Sequence, residues 1–173
     1  MVSRDPLQLP PVLVSREPAA EPGYADLGTP LFERLCRLGR VPHLLNTQYR
    51  CHPSISQLAS KLFYSGRIKD GISPADRPPL VDGLPPLVWF DVAQGREQQG
   101  PGGSFVNEGE QRLAMELIRA LLVGGIDPSH IGFVALFRAQ ARAVRSMLCA
   151  NGGGRESAVA VSTIDAFQGA EKG

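Results

Sequence analysis

The sequence predicts an α/β fold built on a parallel sheet. Three observations carry that expectation. Through the last third of the 173-residue chain, the residue pattern alternates as helix, strand, helix, strand. The links between these segments are short, and strands joined through a helix run parallel. Residues 131–137 hold few polar side chains, the composition of a strand covered on both faces.

Near the start, Asp5-Pro6-Leu7-Gln8-Leu9-Pro10-Pro11 excludes a helix, because its prolines impose an extended or turning path. Residues 16–28 are polar with Gly and Pro and read as a surface loop. Thr29 is placed to cap a helix with Pro30 at its first position, and Leu31, Phe32, Leu35 and Leu38 keep helical spacing up to Gly39, a stop. Residues 43–47 are expected as a short strand. Residues 54–64 are expected as a helix with Ile55, Leu58, Ala59, Leu62 and Phe63 on one face. Residues 65–86, rich in Gly and Pro, form a long irregular connection, and Leu87, Val88, Trp89 and Phe90 make a strand. Residues 94–104 are expected as an exposed loop and, like residues 1–28, as poorly ordered. Asn107, three positions before Glu110, gives a capping-box pattern. The helix behind it runs to about residue 123, buries Leu113, Leu117, Ile118, Leu121 and Leu122, and ends at Gly124-Gly125. A strand over 131–137, a helix over 139–149 and a strand over 158–163 follow.

Composition permits a packed core, with 43% hydrophobic and 20% charged residues. A net charge of +1 argues against a polybasic nucleic-acid binder, though a machine that grips a strand needs only a few placed groups. Cys36, Cys51 and Cys149 form no CxxC pair and no histidine stands at zinc spacing, so no metal site is expected. Scattered, odd-numbered thiols point to a reducing, intracellular setting. Residues after Met1 show no secretory pattern, and no apolar run reaches the roughly 18 residues of a membrane span, so no membrane partner is expected.

The chemistry-bearing segments form an ordered series. Asp5-Pro6-Leu7-Gln8-Leu9-Pro10-Pro11 is followed by Thr47-Gln48-Tyr49-Arg50-Cys51-His52-Pro53 and then by Asn107-Glu108-Gly109-Glu110. Next comes the stretch from Ile131 to Gln140, and last Ser162-Thr163-Ile164-Asp165-Ala166-Phe167-Gln168-Gly169-Ala170-Glu171-Lys172. This series resembles the superfamily 1B helicases related to the nonsense-mediated-decay helicase and the Dna2-type nucleases. Within them it resembles the branch of DNA helicases that carry a GRF-type zinc finger, through residues such as Cys51 and Ala170.

The resemblance implies a RecA-like P-loop-NTPase-type sheet forming the second helicase motor domain, with a short tail of the first domain ahead of it. Residues 1–28 would be that tail and residues 29–173 the second domain. The cofactor would be ATP with Mg2+ in the complete parent. The partners would be single-stranded nucleic acid, with DNA expected, and the parent's first motor domain. Translocation would run 5′ to 3′, in repair or recombination, in the nucleus. Gln8 matches the glutamine that senses the γ-phosphate; an amide suits this, since it bonds both a phosphate oxygen and an attacking water. Arg50 matches the arginine supplied across the cleft, a permanently charged fork that makes hydrolysis depend on closure. These two are the catalytic candidates. Tyr49 matches the aromatic partner of adenine, against the alternative of a core tyrosine. Glu171 matches the acid that contacts the sugar, and Gly169 shapes that loop, glycine allowing close approach of the backbone. Ser162 and Thr163 end a strand where α/β sheets place ligand groups, and are the candidate nucleic-acid contacts. Asp165 would orient the loop, His52-Pro53 would shape a helix start, and the helix cap accounts for Asn107 and Glu110.

The sequence also departs from the family pattern. No GxxxxGK[ST] phosphate loop occurs, since Gly152-Gly153-Gly154 has no following Lys-Ser/Thr. No Asp-Glu pair ends a strand. Arg4 stands where a glycine is expected, and Ala135-Leu136-Phe137 stands where Thr-Pro-Tyr is common. Gly173 comes before the family's arginine motif. The chain is therefore expected to be an incomplete piece of the motor that hydrolyses no ATP and binds no nucleotide tightly by itself. A non-catalytic module binding a strand or a protein, and an RNA helicase, are the alternatives.

Overall fold

The computed structural model describes Asp5, Gln8, residues 29–150 and residues 154–169, the side chain of Pro101 excepted. The chain divides into two compact units, Met1–Phe90 and Asp91–Gly173. The expected boundary after residue 28 lies outside the described residues.

In the first unit, helix α1 spans Leu31–Arg37. Its cap is Pro30 rather than Thr29: Pro30 is extended at ψ 149°, and its carbonyl accepts the first helical bond, from Arg34 N at 3.0 Å. The helix stops at Gly39 as expected. Gly39 has φ +84°, and the amides of Gly39 and Arg40 bond back to Cys36 O and Leu35 O, the two bonds of a Schellman ending. The expected strand at 43–47 is reduced to β1, Thr47–Gln48. It runs parallel to β2, Lys69–Asp70, in register Thr47↔Lys69 and Gln48↔Asp70. β2 lies within the stretch expected to be irregular. A ladder extends only as far as its partner, and each strand here offers the other two residues. The segment 87–90 is no strand, and Trp89 is 90% exposed. Its apolar run satisfies the strand pattern, but no described strand pairs with it.

Helix α2, Pro53–Phe63, connects β1 to β2. His52 caps it as expected, its Nδ1 accepting from Ser54 N at 3.1 Å, with Pro53 in the first turn where a missing N–H costs nothing. The face it buries is the unexpected one. Pro53, Ser56 and Ser60 are covered, while Leu58, Leu62 and Phe63 are exposed. Small side chains let this region approach closely, and their hydroxyls satisfy polar groups of Asp70 in β2 and of Ile68 just before it. Ser60 Oγ accepts from Ile68 N at 3.1 Å and donates to Ile68 O at 3.2 Å.

The second unit begins with a hairpin where an exposed loop was expected. β3, Glu97–Gln99, pairs antiparallel with β4, Phe105–Asn107, across a turn at Pro101–Gly103. Helix α3, Glu108–Val123, follows. Its buried stripe is Gln111, Met115, Ile118 and Leu122, so the core side is rotated from the expected one, and Leu117 is 36% exposed. α3 ends in a second Schellman pair: Gly125, at φ +90°, bonds to Leu122 O and Ile126 N bonds to Leu121 O.

β5, Gly132–Ala135, then α4, Arg138–Cys149, then β6, Ala160–Thr163, form the expected crossover. The two strands are parallel, with Val134↔Ser162 and Ala135↔Thr163. The core gathers Met115, Ile118 and Leu122 from α3, Val144 and Leu148 from α4, and Ile131 and Val159 beside the strands. Among the described residues only one face of the pair is covered: Phe133 and Val161 pack on this core, while Val134 is 39% exposed. The expectation of a strand covered on both faces is corrected there. The mixed α/β class with parallel pairing stands.

Candidate functional site

The site in the first unit is a loop at the C-terminal end of β1, and Gln48 organises it. The Gln48 Oε1 accepts from the backbone amides of Arg50 at 2.8 Å and Cys51 at 3.0 Å. Its Nε2 donates to Cys51 O at 2.8 Å and to Asp70 Oδ1 at 2.7 Å. One side chain thereby closes the turn that carries Tyr49 and Arg50, both exposed. Arg77 adds a bond from outside the turn, Nε to Arg50 O at 3.1 Å.

Tyr49 is no core tyrosine, for 65% of its surface is exposed. Its ring lies on the backbone of Gly71, where a Cβ would come 2.1 Å from Tyr49 Cε1. Asp70, beside it, also accepts from the Ser56 hydroxyl. The Ser56 and Gln48 hydrogen bonds, in that order, hold the Asp70 carboxyl below its ordinary value. Cys51 donates its thiol to Gln48 Oε1 at 3.6 Å, and burial pushes that thiol up.

Gln8 is exposed and its Nε2 donates to Asp5 Oδ2 at 3.3 Å. Asp5 in turn accepts from the Tyr64 hydroxyl, and that bond is the first cause of the raised Tyr64 hydroxyl. Asp5, and Gln8 through it, is thus tied to the end of α2 by a polar contact that sequence reasoning did not foresee.

In the second unit, Ser162 and Thr163 are half-buried at the C-terminal end of β6, the strand end at which the sequence placed them. Thr163 leads directly into α5, Ile164–Phe167, a single turn that the sequence reading treated as loop. Gly169 has φ +81°, a left-handed conformation that only glycine adopts freely. Glu171 lies outside the described residues. The helix-cap account of Asn107 holds: its Oδ1 accepts from Gly109 N at 3.0 Å and Glu110 N at 3.2 Å. The reciprocal half of the capping box is absent, because Gln140 Oε1 takes the Asn107 amide at 3.0 Å. Glu110 instead accepts from Gln140 Nε2 at 3.2 Å.

A cleft of about 490 Å³ in this unit is lined in part by Arg119, Arg155 and Glu156. Both arginines have structural partners there. Arg119 bonds Glu156 Oε1 at 3.0 Å, and Arg155 bonds Leu122 O and Ile126 O at the end of α3. None of the described candidate site residues lines it. Among the described residues no three His, Cys, Asp or Glu side chains gather as a metal site. No described helix is long and apolar enough to cross a membrane.

The residues that sequence reasoning missed are Gln48, Asp70, Gly71 and Arg77. Gln48 was visible as part of a motif without a role, and Asp70-Gly71 read only as part of an irregular stretch.

Comparison with known proteins bears on the whole. Residues 27–173 match a protein family described as an AAA domain. The chain is 44% identical over 170 residues to the 5'-3' DNA helicase ZGRF1 of Mus musculus, covering 97% of this chain and 9% of that protein. It is 33% identical over 177 residues to a Regulator of nonsense transcripts 1 homolog of Arabidopsis thaliana, covering 97% and 14%. It is 34% identical over 179 residues to the ATP-dependent helicase NAM7 of Saccharomyces cerevisiae, covering 97% and 18%. The chain therefore spans less than a fifth of the length of these relatives.

Proposed function

Because the chain belongs to the AAA-domain family of superfamily 1 helicases, we propose that it forms the second motor wall of an ATP-driven helicase that translocates 5′ to 3′ on single-stranded DNA. The direction and the DNA substrate rest on the name of the mouse relative; a repair or recombination role in the nucleus belongs to the same reading. One observation carries the nucleotide side: the Gln48 amide closes a turn that carries an exposed tyrosine and an exposed arginine at consecutive positions. In this reading Tyr49 stacks on the adenine base, and Arg50, with Gln8, acts on the transferring phosphate. ATP bound by the whole motor supplies the phosphoryl group. Charge that builds on its oxygens is met by a fork that cannot lose its proton. Gly169 and Glu171 belong to the sugar side, and Ser162 and Thr163 to the translocated strand.

The test is strand-stimulated ATP hydrolysis by the full-length helicase. Arg50→Ala is expected to lower kcat by about a thousandfold, the low end for a phosphate-directed arginine, with little change in KM. Tyr49→Ala is expected to raise KM for ATP by roughly tenfold, the worth of one base stacked on an aromatic ring. Arg50→Ala with unchanged kcat sinks the phosphate assignment. The 173-residue chain alone is expected to hydrolyse no ATP in the presence of magnesium and a DNA strand, because it carries no lysine-bearing phosphate loop. Hydrolysis above background in that assay refutes this.

A further inference from the structure

We propose that Asp70 and Gly71 are positioning residues for Tyr49 and Arg50: the Asp70 carboxylate orients the Gln48 amide that closes their loop, and the bare Gly71 backbone seats the Tyr49 ring. The proposal rests on the nucleotide reading of those two side chains given above.

The argument for Asp70 is one of hydrogen-bond polarity. A primary amide can be turned either way, with its oxygen and nitrogen exchanged. The loop requires one orientation, because the Arg50 and Cys51 amides need the oxygen. An ionised carboxylate only accepts, so Asp70 takes the nitrogen, at 2.7 Å, and thereby directs the oxygen at the loop. Ser56, buried on α2, donates its hydroxyl to the same Asp70 Oδ1 and so fixes the oxygen that receives the Gln48 nitrogen. The orientation of a side chain on β1 is thus held jointly by Cys51 O, which takes the same nitrogen at 2.8 Å, and by a residue that follows it by 22 positions.

The argument for Gly71 is one of space. Three Tyr49 ring atoms, Cε1, Cζ and Cδ1, lie 2.1, 2.5 and 2.7 Å from the position a Gly71 Cβ would take. The Gly71 backbone does not lie at positive φ, so the requirement is room and not conformation. Its amide donates to Gln48 O at 2.9 Å, which fixes that seat to the strand that leads into Tyr49. A side chain at 71 would therefore displace the exposed ring and leave the backbone in place.

The experiment measures strand-saturated ATPase kinetics of the full-length helicase, with tripolyphosphate as a competitor that has phosphates and no base. Gly71→Ala is expected to raise KM for ATP by about fivefold or more, part of the stacking effect, with kcat nearly unchanged. Inhibition by tripolyphosphate should stay as in the parent. In a Tyr49→Ala background, Gly71→Ala should add nothing. Asp70→Ala is expected to lower kcat by roughly tenfold to a hundredfold, as a misplaced reacting group does, and to weaken tripolyphosphate inhibition. Asp70→Asn, which keeps an acceptor oxygen, should recover most of that loss. An unchanged KM in Gly71→Ala alongside a raised KM in Tyr49→Ala overturns the role of Gly71. Equal losses in Asp70→Asn and Asp70→Ala overturn the orientation argument. If Tyr49→Ala itself leaves KM unchanged, the nucleotide reading falls and this proposal with it. Loss of helical circular dichroism in Gly71→Ala also overturns the proposal, because the ring would then not be the part that yields.

Discussion

Replacing Gln140 by alanine is expected to remove a large share of the second unit's stability. Gln140 is 6% exposed, and its two side-chain polar atoms serve four groups. Its Oε1 accepts from the Asn107 amide at 3.0 Å and from Gln111 Nε2 at 2.9 Å. Its Nε2 donates to Asn107 O and to Glu110 Oε2, each at 3.2 Å. Truncation leaves at least the two donors stranded, since Asn107 and Gln111 are each 8% exposed. A buried donor without a partner costs about 1–3 kcal/mol, so the pair costs about 2–6 kcal/mol. Whole-domain stabilities run to about 5–15 kcal/mol, so the loss is a substantial fraction of the total. Urea unfolding followed by far-ultraviolet circular dichroism measures it. Fluorescence of Trp89 is the wrong probe, because that indole is 90% exposed and belongs to the first unit. The companion measurement is a double-mutant cycle of Gln140→Leu with Gln111→Leu. Removing donor and acceptor together should cost less than the sum of the single changes. A loss under about 1 kcal/mol for Gln140→Ala, the net worth of one ordinary hydrogen bond, would refute the stranded-donor reasoning.

Two further outcomes are expected. Asp70 has a folded-state carboxyl held below its ordinary value, first by Ser56 and then by Gln48, so its stabilising contribution is present above the ordinary carboxylate range and is lost as pH falls through the depressed value. The stability difference between the parent and Asp70→Asn should therefore shrink in acid, and a difference independent of pH would contradict this. Gly125→Ala forces a side chain onto a residue at φ +90° and should cost about 1–2 kcal/mol in thermal or urea unfolding, whereas Gly124→Ala, at φ −68°, should cost less; equal costs would contradict the Schellman account of the α3 ending.

The second unit was the more legible part. α3, β5, α4 and β6 follow from local signals: a capping asparagine, glycines after the last turn, and an apolar run between two amphipathic segments. What sequence could not show was which side of α3 faces inward, because Met115 and Gln111 carry the buried stripe and Gln111 is there only because Gln140 meets it. The hairpin at 97–107 was invisible for a related reason. β3 is all Glu and Gln and exposed at each position, so no alternation marks it. In the first unit, the apolar face of α2 gave the helix but not its inner side, since two serines and a proline make the close contact. At the site, Tyr49 and Arg50 were found through motif resemblance. Asp70 and Gly71 could not be, because their significance lies in touching residues that are distant in sequence, and an Asp-Gly pair is ordinary turn chemistry.

The β1–α2–β2 unit also bears on how the protein is made. Its strands come together through an intervening stretch mostly occupied by the eleven-residue helix α2. Loop-closure entropy grows only with the logarithm of loop length, and a formed helix shortens the free chain further. The groups of Gln48, Arg50, Cys51 and Asp70 that close the Tyr49–Arg50 turn lie within this single continuous stretch, and Gly71 and Arg77 follow within seven residues of it. The turn can therefore be set while the rest of the polypeptide is still emerging from the ribosome, before the downstream core of Met115, Val144 and Leu148 has been synthesised.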